Sequence, residues 1–203
     1  MIDCVRFAWE AVCSSGGSGA SGDTSSLADA DALALARGCS PSWTHHDARL
    51  ALEGAPDAQL PALSKGWELK EDRPGKPAWV AGGAAGSTLV FRARFSSKLI
   101  VLAYLRSYQG LGSVSLSLAP ASAPGAPLAI GPPLAGAVTL EGLYAEGSIP
   151  AKKRVSQLEV VTLRVGEVWP EVLARSEADD YMLTLTVQPG PDTKFCVVQM
   201  QSC

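Results

Sequence analysis

The chain has 203 residues, 47% of them hydrophobic and 18% charged. That is enough for one large core, or for a domain of about 130 to 150 residues with an extension. Its 17 Lys and Arg against 20 Asp and Glu give a net charge of −3, and residues 152–154 (KKR) are its one basic run, so it lacks a stripe able to track a phosphate backbone and no nucleic-acid partner is expected. The longest apolar runs, such as LIVLAYL at residues 99–105, fall short of the roughly 20 residues of a membrane helix, so no membrane span is expected.

Residues 1–13 carry Asp3, Arg6 and Glu10, which interrupt any signal-peptide apolar region. Cys4, Cys13, Cys39, Cys196 and Cys203 would suit disulfides of an exported protein, with one left over. The expectation is a secreted or extracellular chain if a signal lies upstream, and a soluble intracellular one otherwise. No CxxC pair occurs and only His45 and His46 could complete a ligand set, so no metal and no other cofactor is expected. Residues 14–26 (SSGGSGASGDTSS) form a Gly/Ser linker. Residues 27–37 suit a short helix, with Ser25 or Ser26 as cap and Gly38 as stop. Residues 39–64, rich in Pro and holding His45 and His46, read as loop with one helical turn. Together 1–64 are expected to be an extension, partly disordered or helical, before a sandwich domain at 65–203.

From Trp67 the period becomes that of strands. In STLVFRARF (87–95), Leu89, Phe91, Ala93 and Phe95 share one face, with Val90, Arg92 and Arg94 on the other. KLIVLAYLRSY (98–108) is nearly continuously apolar, as in a strand buried on both sides. The two read as a hairpin, and SVSLSL (113–118), with Val114, Leu116 and Leu118 inward, extends it to a three-stranded meander. Residues 119–136 are a Pro/Ala/Gly loop. Strands resume at 137–140, 155–165, 181–188 and 194–201, with a PGPD turn before the last and a loop or short helix at 176–180. Seven to nine short strands at this spacing predict an all-β, antiparallel β-sandwich of jelly-roll type.

Catalytic patterns are weak. A triad would need His45 or His46 as base, and the chain has no G-x-S-x-G elbow; SGDTSS (21–26) is only superficially a nucleophile block. Glu68, Glu71 and Asp72 read as a charged strand end offset by Lys70 and Arg73, and GGAAGS (82–87) opens a strand, so it is a turn and no phosphate cradle. No catalytic residue is assigned. Trp67, Trp79, Tyr104 and Tyr108 with Lys76 and Arg106 could form a stacking and hydrogen-bonding platform. The simpler role for Trp67, Trp79 and Tyr104 is core, whereas Arg106 and Tyr108 sit at a strand end leading to Gly110, where loops carry function. Arg106, Tyr108, Trp67 and Lys76 are therefore the candidate ligand-binding residues.

The blocks GWELKED, GKPAWVA, GSTLVF and above all AYLRSYQGLGSV resemble the C-terminal region of plant and green-algal SGNH (GDSL)-hydrolase-like proteins. The matching positions are Trp67, Lys76, Pro77, Gly86, Ser87, Tyr104 to Tyr108, Gly110 and Gly112, with weaker likeness at LEG (140–142) and at the TKFCVVQMQ end. The resemblance covers about half the chain and implies a β-sandwich that follows an esterase-like domain in relatives. The Gly-Asp-Ser and Asp-x-x-His blocks of the catalytic domain are missing, so the activity does not carry over. The expected function is a non-catalytic accessory module binding a glycan or a partner protein. The alternatives are a diverged or truncated SGNH-like esterase and a structural protein-interaction domain.

Overall fold

The computed structural model describes residues 44–54, 63–95, 97–122, 129–144, 156–174 and 180–202, all within the compact unit Gly38–Cys203. The linker at 14–26, the helix at 27–37, the basic run at 152–154, residues 176–179 and four of the five cysteines lie outside the described residues; Cys196 is buried.

The strands are β1 Thr44–Asp47, β2 Trp67–Arg73, β3 Lys76–Ala81, β4 Thr88–Arg94, β5 Leu99–Arg106, β6 Ser113–Pro120, β7 Val138–Glu141, β8 Gln157–Arg164, β9 Asp180–Val187 and β10 Cys196–Ser202. One helical turn, α1 (Ala48–Leu52), follows β1, and a second, α2 (Val165–Val168), leads into a 3-10 turn at Pro170–Ala174. A six-stranded sheet runs β2-β3-β10-β5-β8, with β1 also paired to β10, and a four-stranded sheet runs β4-β9-β6-β7. From β3 onward the chain crosses between sheets at every connection except β6 to β7. This is the double Greek key of a jelly roll, and the fold is an all-β antiparallel sandwich as expected.

The strand faces agree with the sequence reading. Leu89, Phe91, Ala93, Val114, Leu116 and Leu118 are wholly buried, and Trp79 meets Phe91 edge-on at 5.1 Å between the sheets. The partners differ. The hairpin and meander expected of β4, β5 and β6 do not form: β4 pairs with β9, β5 lies between β10 and β8, and β6 between β9 and β7. Alternation decides which face of a strand is buried but carries no information about its neighbour.

Of the region 39–64, expected to be loop with one helical turn, residues 44–54 hold that helical turn but also a strand that was not expected. His45 and His46, expected in that loop before the sandwich, lie on β1, which takes over the edge of β10 at Gln199–Ser202 where β3 leaves it after Val197. Asp47 ends the strand and caps α1, its Oδ1 accepting from the backbone N–H of Arg49 (2.8 Å) and Leu50 (3.2 Å). Along this margin the sheets are tied together. His46 Nε2 donates to the Arg92 carbonyl at 3.0 Å, and the Ser202 hydroxyl donates to the Arg94 carbonyl and accepts from its N–H. Trp169, not assigned from sequence, fills the core from the turn after α2, its Nε1 donating to the Gly136 carbonyl at 3.0 Å.

Candidate ligand-binding rim

The block that is most distinctive in sequence closes one end of the sandwich. Tyr104 faces inward on β5 and stacks on Phe195 at 5.3 Å. Two residues on, Arg106 shares that face. Its Nη2 donates to the Leu143 carbonyl at 3.0 Å, Nη1 lies 3.8 Å from Glu159 Oε1, and the guanidinium carbon sits 4.8 Å from the centre of the Tyr144 ring. Ser107 faces the other way. Its N–H donates to the Gly142 carbonyl and its carbonyl accepts from the Tyr144 N–H, so residues 142–144 lie beside it as a short parallel addition to the sheet end. The chain then turns at Gly110 (φ 70°). At Gly112 it packs so closely on the 189–194 connection that a Cβ would overlap the Asp192 carbonyl oxygen.

The four residues singled out from sequence are not gathered at one place. Arg106 and Tyr108 belong to this end; Tyr108 is 41% exposed. Trp67 pairs with Ala81 and lies at the same end of the sheet, but it faces the core and is 4% exposed. Lys76 is exposed at the other end of the β2–β3 hairpin. Trp79 and Tyr104 are core.

What sequence reasoning missed are Arg106's companions. Tyr144 is partly exposed, and its hydroxyl donates to Gln157 Oε1 at 3.2 Å. Gln157 and Glu159 lie opposite Arg106 and Tyr104 on β8. Only the LEG triplet before Leu143 hinted at this corner; nothing in its pattern reveals that it meets β5.

Burial, and secondarily the Glu159 charge, push the Tyr144 hydroxyl above the usual phenol range against the opposing effect of Arg106. Tyr104 is raised likewise, chiefly by burial. Both phenols therefore stay protonated across the physiological range. The rim thus combines two accessible aromatic rings with an amide, a carboxylate and a guanidinium. Rings of this kind stack on apolar ring faces, and planar polar groups beside them can bind pairs of hydroxyls.

The histidines offer no comparable chemistry. His46 has one nitrogen on a backbone carbonyl and the other, Nδ1, buried without a partner, with Phe91 against its ring at 5.1 Å. His45 Nε2 lies 2.7 Å from the Gln199 amide nitrogen, and the Asp47 carboxylate is occupied as the α1 cap. Burial lowers both imidazoles below their ordinary value; for His46 the Arg92 carbonyl opposes this and His45 adds to it.

No family model and no curated protein sequence matches the chain. Among solved structures it is similar to a two-domain esterase active on acetylated mannans, crystallised with mannopentaose, at 14% identity and a TM-score of 0.46 over 79% of this chain and 36% of that one. It is also similar to a Paenibacillus sp. cycloisomaltooligosaccharide glucanotransferase complexed with cycloisomaltoheptaose, at 9% identity and a TM-score of 0.36 over 77% of this chain and 18% of that one. The chain spans about a third of the esterase and under a fifth of the glucanotransferase, and at these values neither likeness assigns a family or an activity.

Proposed function

We propose that the chain is a non-catalytic β-sandwich module that binds a glycan at the Arg106–Tyr108–Tyr144 rim. The observation that carries this reading is the coupling of Arg106, Tyr144, Gln157 and Glu159 into one network at the sandwich end, beside the exposed Tyr108. The network holds polar groups in fixed directions, which lowers the ordering cost of binding. The likeness of the 104–112 block to the C-terminal sandwich of SGNH-hydrolase-like proteins fits a role as accessory domain to an enzyme. Trp67 and Lys76 are no part of this rim. Aryl-acetate hydrolysis by the purified chain, abolished by His45→Ala or His46→Ala, would overturn the module reading in favour of a diverged esterase.

A protein partner is the second reading, and a separate observation favours it. β8 pairs with β5 on one side and with no described strand on the other, and its outward Leu158 and Val160 are 46% and 50% exposed. An edge of that kind can accept an added strand. Pulldown of a stable partner, lost on Val160→Lys, with no glycan bound on an array, would favour this reading over the first.

A further inference from the structure

Residues 44–52, β1 followed by α1, form a short strap across the margin between the two sheets. β1 has four residues, and among the described strands it pairs with β10 alone. α1 has five, too few to persist as a helix by itself, and it buries only Ala48 and Ala51. If the strap leaves, β10 keeps its pairing with β5 up to Ser202, and the remaining ladders of both sheets are untouched. The strap can therefore open locally, at a lower cost than unfolding the whole sandwich.

His46 is the side chain that ties the strap to the opposite sheet. The Arg92 carbonyl can only accept, so the imidazole proton sits on Nε2 and Nδ1 keeps a lone pair. Nδ1 is buried and has no hydrogen-bond partner. A second proton would therefore create a buried charge and a buried donor with no acceptor, both costly. Among the described residues no carboxylate acts to balance that charge. On β1, His45 and Asp47 alternate onto the other face; Asp47 caps α1, and His45 disfavours a charge on His46. On β4, the Arg92 and Arg94 guanidiniums are paired with Asp180. On β10 the residues opposite β1, Gln199 to Ser202, are uncharged, and on α1 Arg49 pairs with Glu53. Once the strap is open, water solvates the imidazolium and the penalty disappears, so acid favours the open form. We infer that residues 44–52 are an acid-released strap: protonation of His46 detaches β1 and α1 from the margin while the rest of the sandwich stays folded. A general loss of stability in acid would weaken every ladder alike, whereas this device opens one.

The test is amide hydrogen exchange of the full chain, resolved by residue and corrected for the intrinsic pH dependence of exchange, at about pH 7.5 and about pH 5, on either side of the ordinary histidine value. Protection of the β1 amides and of the β10 amides that face them is expected to fall roughly ten- to thirtyfold at the lower pH, the upper figure being the limit for one group that titrates at about 6.5 when open. Protection in the β5–β8 ladder should stay unchanged. His46→Gln, which keeps a donor for the Arg92 carbonyl but cannot titrate, should remove most of the fall, and His45→Gln should leave most of it in place. An equal fall in β5–β8, no fall at the margin, or a fall that His46→Gln leaves intact would overturn the strap. Should His46→Gln fail to fold, the wild-type contrast between the margin and β5–β8 decides the matter by itself.

Discussion

Tyr104, Arg106 and Tyr108 sit two residues apart in sequence, the last just beyond the end of β5, yet do different things. Tyr104 is core, Arg106 is a clamp, and Tyr108 is free to meet solvent. Substitution should separate these roles. Tyr108→Ala is expected to change unfolding free energy by no more than about 0.5 kcal/mol, as for an exposed side chain, while weakening glycan binding. Arg106→Ala removes the donor on the Leu143 carbonyl and the cation over Tyr144, so it should cost about 1–3 kcal/mol and weaken binding as well. Trp79→Ala opens a cavity between the sheets and should cost about 3–5 kcal/mol. Urea unfolding of the three variants checks the order. Equal destabilisation by all three would remove the distinction between rim and core.

At the scale of elements, the margin where β1, β10 and β4 meet should respond to pH. His46 is held neutral by burial, its folded pKa below the unfolded value, and His45 behaves alike, its desolvation only partly offset by Asp47. A group whose pKa is lowered on folding contributes stability that is complete above its unfolded value and is lost as pH falls. The chain should therefore lose stability below about pH 6.5, the ordinary histidine value. His46→Gln, which keeps a donor for the Arg92 carbonyl, should reduce that loss, and a second substitution at His45 should reduce it further. Urea midpoints at several pH values measure the slope, and an unchanged slope in the double variant would contradict the assignment. Asp180 gives a second acid-sensitive point. Burial alone would raise its carboxyl, but hydrogen bonds and charge from Arg92 and Arg94 outweigh this and lower it. Its contribution is thus complete above the ordinary aspartate range and is lost only in stronger acid, a loss that Asp180→Asn should abolish in acid unfolding curves.

That margin also marks where the sequence stopped being legible. Strand positions and inward faces could be read from period-two alternation, as at Leu89–Phe91–Ala93, because burial is a local property of a strand. Pairing could not, because β4 finds β9 across some 90 residues and β1 finds β10 across more than 150, and no local pattern encodes that. His45 and His46 were misplaced for this reason: four residues, THHD, are too few to show alternation, and it is the edge of β10 that makes them a strand. The rim was half visible. Arg106 and Tyr108 stand out by composition and by position at a strand end, but Tyr144 and Glu159 join them only through the fold.

For the whole molecule, the jelly roll places the Arg106–Tyr144 rim at one end of the sandwich. The described histidines serve the margin between the sheets. On the reading proposed above, the rim holds a glycan. The most direct measurement of that claim is a glycan array probed with the wild-type chain and with a folded Tyr108→Ala/Tyr144→Ala variant. Binding to at least one glycan class by the wild type, weakened tenfold or more in the variant as expected for loss of two stacking rings, is the predicted result. Binding of no glycan, or binding that the double variant retains in full, would contradict it.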